Sequence, residues 1–228
     1  MDIPPGCEID GAKFVRCPAN FKGEFTIPDG ITSIECGAFE RCAGMTNITI
    51  PDSVAEIGRM AFSNCSSLIH VDVPKSVTAI GHSAFSDCSA MTSIHLKDGI
   101  RSIEYRTFFG CKSLGGINIP DSVVAIGDEA FEMCMSLTHI HMPESVSWIG
   151  SYALHYCTNL ATAIVPKECT FPKNAFLPSC KIFNGLSEYR AYLAMNIAEE
   201  RAGDGVEVVG MHAPQSEPAV DSRGGRAI

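Results

Sequence analysis

The stretch CSSLIHVDVPKSVTAIGHSAFSDC, residues 65–88, begins and ends on cysteine and is the unit from which most of the chain is built. Cys42, Cys65, Cys88, Cys111, Cys134, Cys157 and Cys180 follow one another in constant steps of 23. Two further columns keep the same period. Pro28, Pro51, Pro74, Pro120, Pro143 and Pro166 form one, with Lys97 standing in the proline slot. Phe39, Phe62, Phe85, Phe108 and Phe131 form the other, with Leu154 last. Self-similarity at a period of about 20–30 residues marks a solenoid in which each repeat is one coil.

The residues inside the unit set the course of a coil. Val71-Asp72-Val73 alternates apolar and polar, the period of a strand with one face buried. Pro74 follows and cannot donate to a ladder, so it ends the strand. The β-branched run Ser76–Ile80 predicts a second short extended piece. Gly81 suits a sharp turn with φ > 0, and Ala84-Phe85 to Cys88 predicts one tight helical or 3₁₀ turn back to the next strand. Leu68, Val71, Val73, Val77, Ile80 and Phe85 point into one interior, and equal slots stack into ladders with strands about 4.8 Å apart. A single coil buries too little to fold alone, so the array folds as a cooperating set.

The phrases IPDSVAEIGRMAFSNCSSL (50–68), VPKSVTAIGHSAFSDCSAM (73–91) and IPDSVVAIGDEAFEMCMSL (119–137) resemble the BspA-like leucine-rich repeats, and the resemblance covers roughly residues 22–183. It implies an α/β repeat solenoid: a right-handed leucine-rich-repeat superhelix with a parallel sheet on the concave side and short turns or 3₁₀ segments on the convex side. It further implies a binding protein, often at a cell surface, and it supplies no catalytic residues.

The expected organisation is an N-terminal cap over 1–21, a solenoid of about seven coils over 22–183, a C-terminal capping helix over 184–203 and a flexible tail over 204–228. Departures from the repeat cluster. Glu35 and Glu104 replace the turn glycine, and residues 96–111 lose Pro, Gly and Ala in one coil, with Asp98-Gly99 available to turn instead. That coil's Tyr105 and Arg106 give it a different outer edge. In the last coil Pro172 stands where Ile is expected, while Cys180 holds register and Phe183 takes the Leu slot. Leu186, Tyr189, Leu193 and Ile197 make one stripe of a helix, which Asn184 or Ser187 can cap and Gly203 can end. That stripe is either a lid on the last coil or a docking face for a partner.

The formal charge of −9 argues against non-specific nucleic-acid binding and against an anionic membrane surface. No run of about 18 apolar residues predicts a membrane span. The opening MDIPPGCEIDGAKF has no basic start and no apolar run, so a cytoplasmic location is expected, with a surface-exposed or secreted adhesion module as the alternative. The seven evenly spaced cysteines are expected as a reduced, buried ladder of small hydrophobes, because neighbouring coils set Cβ atoms farther apart than the roughly 3.8 Å a disulfide prefers. Cys7 and Cys17 fall off that column and could bridge in an oxidising compartment.

Function is sought where the repeat leaves residues free. Two outward columns are Asn47, His70, Ser93, Gly116, His139, Thr162 and Thr49, Asp72, His95, Asn118, His141, Ile164. Four of the seven histidines lie there. Asn47, Thr49, His70, Asp72, Ser93, His95, Asn118, His139 and His141 are the expected partner-binding residues, for a protein or a glycan. His70, Asp72 and His95 would form a surface whose charge changes near the ordinary imidazole pKa of about 6.5. His139-x-His141 places two imidazoles on one face, and a metal-dependent enzyme there is a distant alternative. His95 and Asp72 lie two and three coils from that pair, so no closed metal site is expected there. No P-loop, GxGxxG, nucleophile elbow or CxxC pair is present, so the chain reads as a non-enzymatic scaffold without cofactor.

Overall fold

The structure, a computed structural model, describes residues 3–203, with side chains to residue 195. The expected tail at 204–228 and Ile197 of the helix stripe lie outside the residues so described. Two compact units divide at Arg190 and Ala191. The first is a β-solenoid.

A hairpin of β1 (Glu8–Asp10) and β2 (Lys13–Arg16) opens the chain, and β2 pairs in parallel with β4 (Ser33–Ile34). The ladder continues through β6 (Glu56–Ile57) to β8 (Ala79–Ile80), then resumes as β10 (Ser102–Ile103), β11 (Ala125–Ile126) and β13 (Trp148–Ile149). A second parallel stack holds β3 (Lys22–Thr26), β5 (Gly44–Thr49), β7 (His70–Asp72) and β9 (Ser93–His95). It resumes as β12 (His139–His141), β14 (Thr162–Val165) and β15 (Lys181–Asn184). Helix α1 (Leu186–Gly203) is the one helix among the described residues, so the regular coils are β and turn throughout.

The core is a single column of columns. Phe14, Phe39, Phe62, Phe85, Phe108 and Phe131 are all fully buried. Their rings stack face to face along the solenoid, at centroid distances from 4.6 to 5.7 Å. Phe14 belongs to the opening hairpin and falls outside the strict period, yet it extends the stack and covers its first ring, that of Phe39.

The cysteine column lies beside it, and all eleven cysteines are free thiols. The thiol of Cys65 donates to the carbonyl of Phe39 at 3.1 Å. Cys88, Cys111, Cys134 and Cys157 repeat this with Phe62, Phe85, Phe108 and Phe131, at 3.1–3.2 Å. Each of these carbonyls also accepts the backbone N–H of the cysteine three residues on, as Phe62 does from Cys65 at 3.2 Å. Both lone pairs of a buried carbonyl are thereby satisfied. Burial pushes Cys88 and Cys157 up to about 12 and raises Cys111 and Cys134 as well.

At the ends the pattern changes. Cys42 has no earlier phenylalanine carbonyl in its register and turns to the carbonyl of Pro18 at 3.5 Å. Cys180 does not keep register as expected. Its thiol faces the carbonyl of Lys181 at 3.9 Å, and burial raises it only to about 11. Phe183 likewise leaves the Leu slot: it pairs with Ile164 rather than with Leu160, because the Pro172 coil is shortened. Ile164, expected on the outer face, is covered there.

The turn from Gly58 to Cys65 is not a continuous 3₁₀ turn. Its N–H groups alternate. Ala61, Ser63 and Cys65 bond back three residues within the coil, whereas Met60, Phe62 and Asn64 bond to His82, Ala84 and Ser86 of the next coil. Met60 and Asn64 adopt φ of 56° and 61°, and the equivalent pair Ser83 and Asp87 does the same. The left-handed residues interrupt the helical course and turn alternate donors outward to the neighbour.

Gly81 does not have the expected positive φ. It is glycine because a Cβ there would lie 2.5 Å from the backbone nitrogen of Arg59 in the preceding coil. A Cβ at Gly58, Gly127 or Gly150 would likewise meet the neighbouring backbone, at 2.8, 2.7 and 2.5 Å. Glu104 carries a Cβ in this slot, and it is between β8 and β10 that the first ladder is interrupted. Glu35 and Glu104 turn outward and each accepts a hydrogen bond from the serine two residues before, Ser33 and Ser102. The second stack is interrupted past Asn118, after Gly115-Gly116, which supply no side chains to the pleat.

In α1, the Glu188 carboxylate accepts the N–H of Asn184 at 2.6 Å, and Tyr189 packs edge-on to Phe183 at 5.1 Å. The start is thus held by a glutamate in the first turn rather than by Asn184 or Ser187.

Gly81→Ala should cost about 1–3 kcal/mol, since the neighbour in contact is backbone. Gly115→Ala, which meets nothing within 4 Å, should stay within about 0.5 kcal/mol of the parent. Urea midpoints compare the two, and equal midpoints would mean that the coils do not approach as described. A second expectation concerns pH. Unfolded thiols ionise near 9.0, whereas Cys88 and Cys157 resist ionisation to about 12 when folded. Their contribution is complete below 9.0 and is lost as pH rises toward 12. Thermal melts across that window should show falling stability, and Cys157→Ala should flatten the fall.

Candidate functional site

The outer face of the second stack is set by strand alternation. Ile48, Val71, Ile94 and Ile140 are buried, so the residues on either side of each point outward. Asn47, Thr49, Asp72, His95, Asn118, His139 and His141 are exposed, and His70 and Ser93 are half-buried. The face carries no core role, and its residues vary from coil to coil while the interior repeats.

The register of β7 on β9 puts His70 opposite Ser93 and Asp72 opposite His95. Four side chains meet there. His95 Nδ1 lies 2.8 Å from Asp72 Oδ1, and His70 Nε2 lies 3.0 Å from Asp72 Oδ2. His70 Nδ1 is 2.8 Å from Ser93 Oγ, and the two imidazole rings cross edge to face at 4.9 Å. The hydrogen bond from His70 holds the Asp72 carboxyl below its ordinary value, with His95 adding to it and partial burial opposing both. A carboxylate between two imidazoles can accept a hydrogen bond from each or share a cation with them.

The other expected residues flank this cluster without joining it. Asn47 uses its Oδ1 to accept the N–H of Ile48 at 3.0 Å. Asn118 forms a lone bridge to His95 and borders a surface hollow of about 360 Å³ with Leu96, Lys97, Asp98 and Asp121. His139 contacts Thr138 at 3.1 Å. Among the described residues no third ligand-type side chain reaches the His139–His141 pair, and the one such group of three is His70, Asp72 and His95.

A second polar cluster lies on the turn edge. Arg106 is paired with Glu129 through both Nε and a terminal nitrogen and lies over the rings of Tyr105 and Phe109. His155 sits between Tyr152 and Tyr156, 3.7 Å from Glu132, whose carboxyl is raised by burial and by Glu129. Glu129, Glu132 and His155 were not among the expected residues. Glu132 and His155 occupy the slot two residues before the cysteine, and Glu129 the slot just before the alanine; both slots vary from coil to coil, and that variation was the available signal.

The BspA type leucine-rich repeat region matches in six copies, over residues 8–104 and 78–184. The chain belongs to the BspA-type leucine-rich repeat family. Among solved structures, a leucine-rich repeat protein from Eubacterium ventriosum is 26% identical, with a TM-score of 0.69 over 76% of this chain and 47% of that one. This BspA-type chain therefore spans about half the length of that relative. A leucine-rich repeat protein of T. pallidum is 23% identical, covering 86% of this chain and 96% of its own, with a TM-score of 0.46. A leucine rich cell surface protein from Faecalibacterium prausnitzii is 26% identical, covering 75% and 62%, with a TM-score of 0.38. A comparison with curated proteins gives no match. No described helix of this BspA-type protein is long and apolar enough to cross a membrane.

The Asp72 carboxyl should titrate below the ordinary aspartate value of 3.8 when followed by carbon NMR. His70→Ala should raise it toward 3.8 more than His95→Ala does, because His70 is the larger influence. An Asp72 that titrates alike in all three proteins would remove the carboxylate from the cluster.

Proposed function

We propose that this protein is a non-enzymatic interaction scaffold that binds a protein or glycan through the outer face of the second parallel stack. One observation carries the reading. The interior is nearly invariant from coil to coil, whereas the side chains facing out from β5, β7, β9 and β12 change at each step and include four of the seven histidines. Leucine-rich repeat proteins are generally interaction scaffolds, and membership of the family supports the same reading. Strands β5 and β7 are held on both sides by ladder bonds, and β9 and β12 on one, so the face is presented with little conformational entropy left to lose. Polar groups at the strand pitch, including Asn47, Asp72, His95, Asn118 and His141, suit a partner with regularly spaced donors and acceptors.

The reading is tested with immobilised wild type and a variant carrying alanine at His70, His95, His139 and His141. Each is exposed to a glycan array and to extract and medium of the source cell. A component captured by wild type and lost from the variant is the expected result. Equal capture by both would move binding off this face, toward the turn edge around Arg106 and Tyr152.

A further inference from the structure

We propose that His70, Asp72 and His95 form a binding site for one divalent transition-metal ion of the zinc class. The inference is independent of the partner reading, because it concerns the isolated chain. Three facts carry it: the donor set, its spacing and its support.

The donor set is two imidazole nitrogens and one carboxylate, the types that suit zinc, cobalt or nickel rather than calcium or magnesium. One ligand atom from each residue lies within 4.8 Å of the others; His95 Nδ1 is 2.8 Å from Asp72 Oδ1, and His70 Nε2 is 3.0 Å from Asp72 Oδ2. Metal–ligand bonds of about 2.0–2.2 Å set tetrahedral ligand atoms about 3.4 Å apart. An ion at the centre therefore needs the two histidine–carboxylate contacts to open by a fraction of an ångström and a wider pair to close by at most about 1.4 Å, which side-chain rotation can supply. Without the ion, each imidazole nitrogen can donate its N–H to the carboxylate. When the ion binds, a neutral ring carries its hydrogen on the other nitrogen and a protonated ring gives up one proton to solvent, so that the ligating nitrogen presents its lone pair.

The support is the sheet and Ser93. His70 and Asp72 are alternate residues of β7, and His95 stands opposite Asp72 on β9. The three Cα positions are thus set by ladder bonds rather than by a loop. Ser93 Oγ lies 2.8 Å from His70 Nδ1 and can accept its N–H in the metal-bound tautomer, which leaves the Nε2 lone pair for the ion. A hydrogen bond to the distal nitrogen of a ligating histidine is the usual device that orients the ring. Asp72 supplies one negative charge, and its flanking outward residues Asn47, Thr49 and Asn118 are uncharged. Three protein ligands leave the outward side of the ion to solvent.

The test uses the purified, reduced full chain with cobalt(II) as the spectroscopic probe and zinc(II) in calorimetry. Wild type should bind one equivalent at this site, with the d–d absorption of nitrogen and oxygen ligation and without a sulfur-to-cobalt charge-transfer band. His95→Ala and Asp72→Asn should each abolish that binding. Ser93→Ala should weaken it roughly tenfold, as loss of an orienting partner does. His139→Ala with His141→Ala should leave it unchanged. Circular dichroism melts check that each variant is folded, and His95 and Asp72 are both exposed, away from the core. The proposal is overturned if wild type binds no cobalt, if His95→Ala binds as tightly as wild type, or if the bound cobalt shows thiolate ligation.

Discussion

The carbonyl of each stacked phenylalanine from Phe39 to Phe131 has two lone pairs and lies in the interior. One is taken by the amide of the cysteine three residues on. The other is taken by the thiol of the cysteine one coil further, at 3.1–3.2 Å from Cys65 to Cys157. Much else in the solenoid depends on this arrangement. It ties the aromatic column to the cysteine column and penalises any slip in coil length, since a slipped coil strands a buried acceptor. A thiol suits the role because it donates weakly and is otherwise a small hydrophobe, so it fills the interior without the desolvation cost of a hydroxyl.

Where that tie ends, the architecture changes. Cys42 finds the carbonyl of Pro18 instead, and the opening hairpin supplies Phe14 to finish the ring stack. At the other end the Pro172 coil is short, Cys180 turns to its own neighbour, and Phe183 pairs with Ile164 instead of Leu160. Inside the array the two sheet interruptions fall in different coils. One accompanies Glu104, which puts a Cβ where Gly81 and Gly127 leave none, and the other accompanies Gly115-Gly116. The core runs past both, because Phe85, Phe108 and Phe131 remain stacked. Backbone pairing can therefore lapse on one wall while side-chain packing carries the coil.

A repeated interior frees the exterior. Strand alternation makes every second residue of β5, β7, β9 and β12 structurally silent, and these are the positions where His70, Asp72, His95 and His141 stand. The columns themselves were legible by counting in steps of 23. The pairing of His70-x-Asp72 with His95, one period beyond Asp72, was legible in the same way. As a ligand set it is less conspicuous than His139-x-His141, where two histidines share one strand. Two ligands on one strand face the same way but lack a third, whereas adjacent coils bring a third within reach. The turn-edge cluster of Arg106, Glu129, Glu132 and His155 was less legible. Its members come from loop slots whose directions depend on left-handed residues at Arg106, Glu129 and Tyr152.

By itself the sequence determined the coil, its period, its interior columns and the residues that face out, because stacking identical units forces identical slots into line. Only the tertiary structure decided why Gly81 is glycine, since the close approach is to Arg59 of the preceding coil and no local turn preference is involved. Only it showed that the turn donors alternate between their own coil and the next, and that Cys180 and Phe183 leave register after Pro172. It also decided that His70, Ser93, Asp72 and His95 touch. Side-chain contact depends on rotamers and on the distances between neighbouring strands, and a one-dimensional period sets neither.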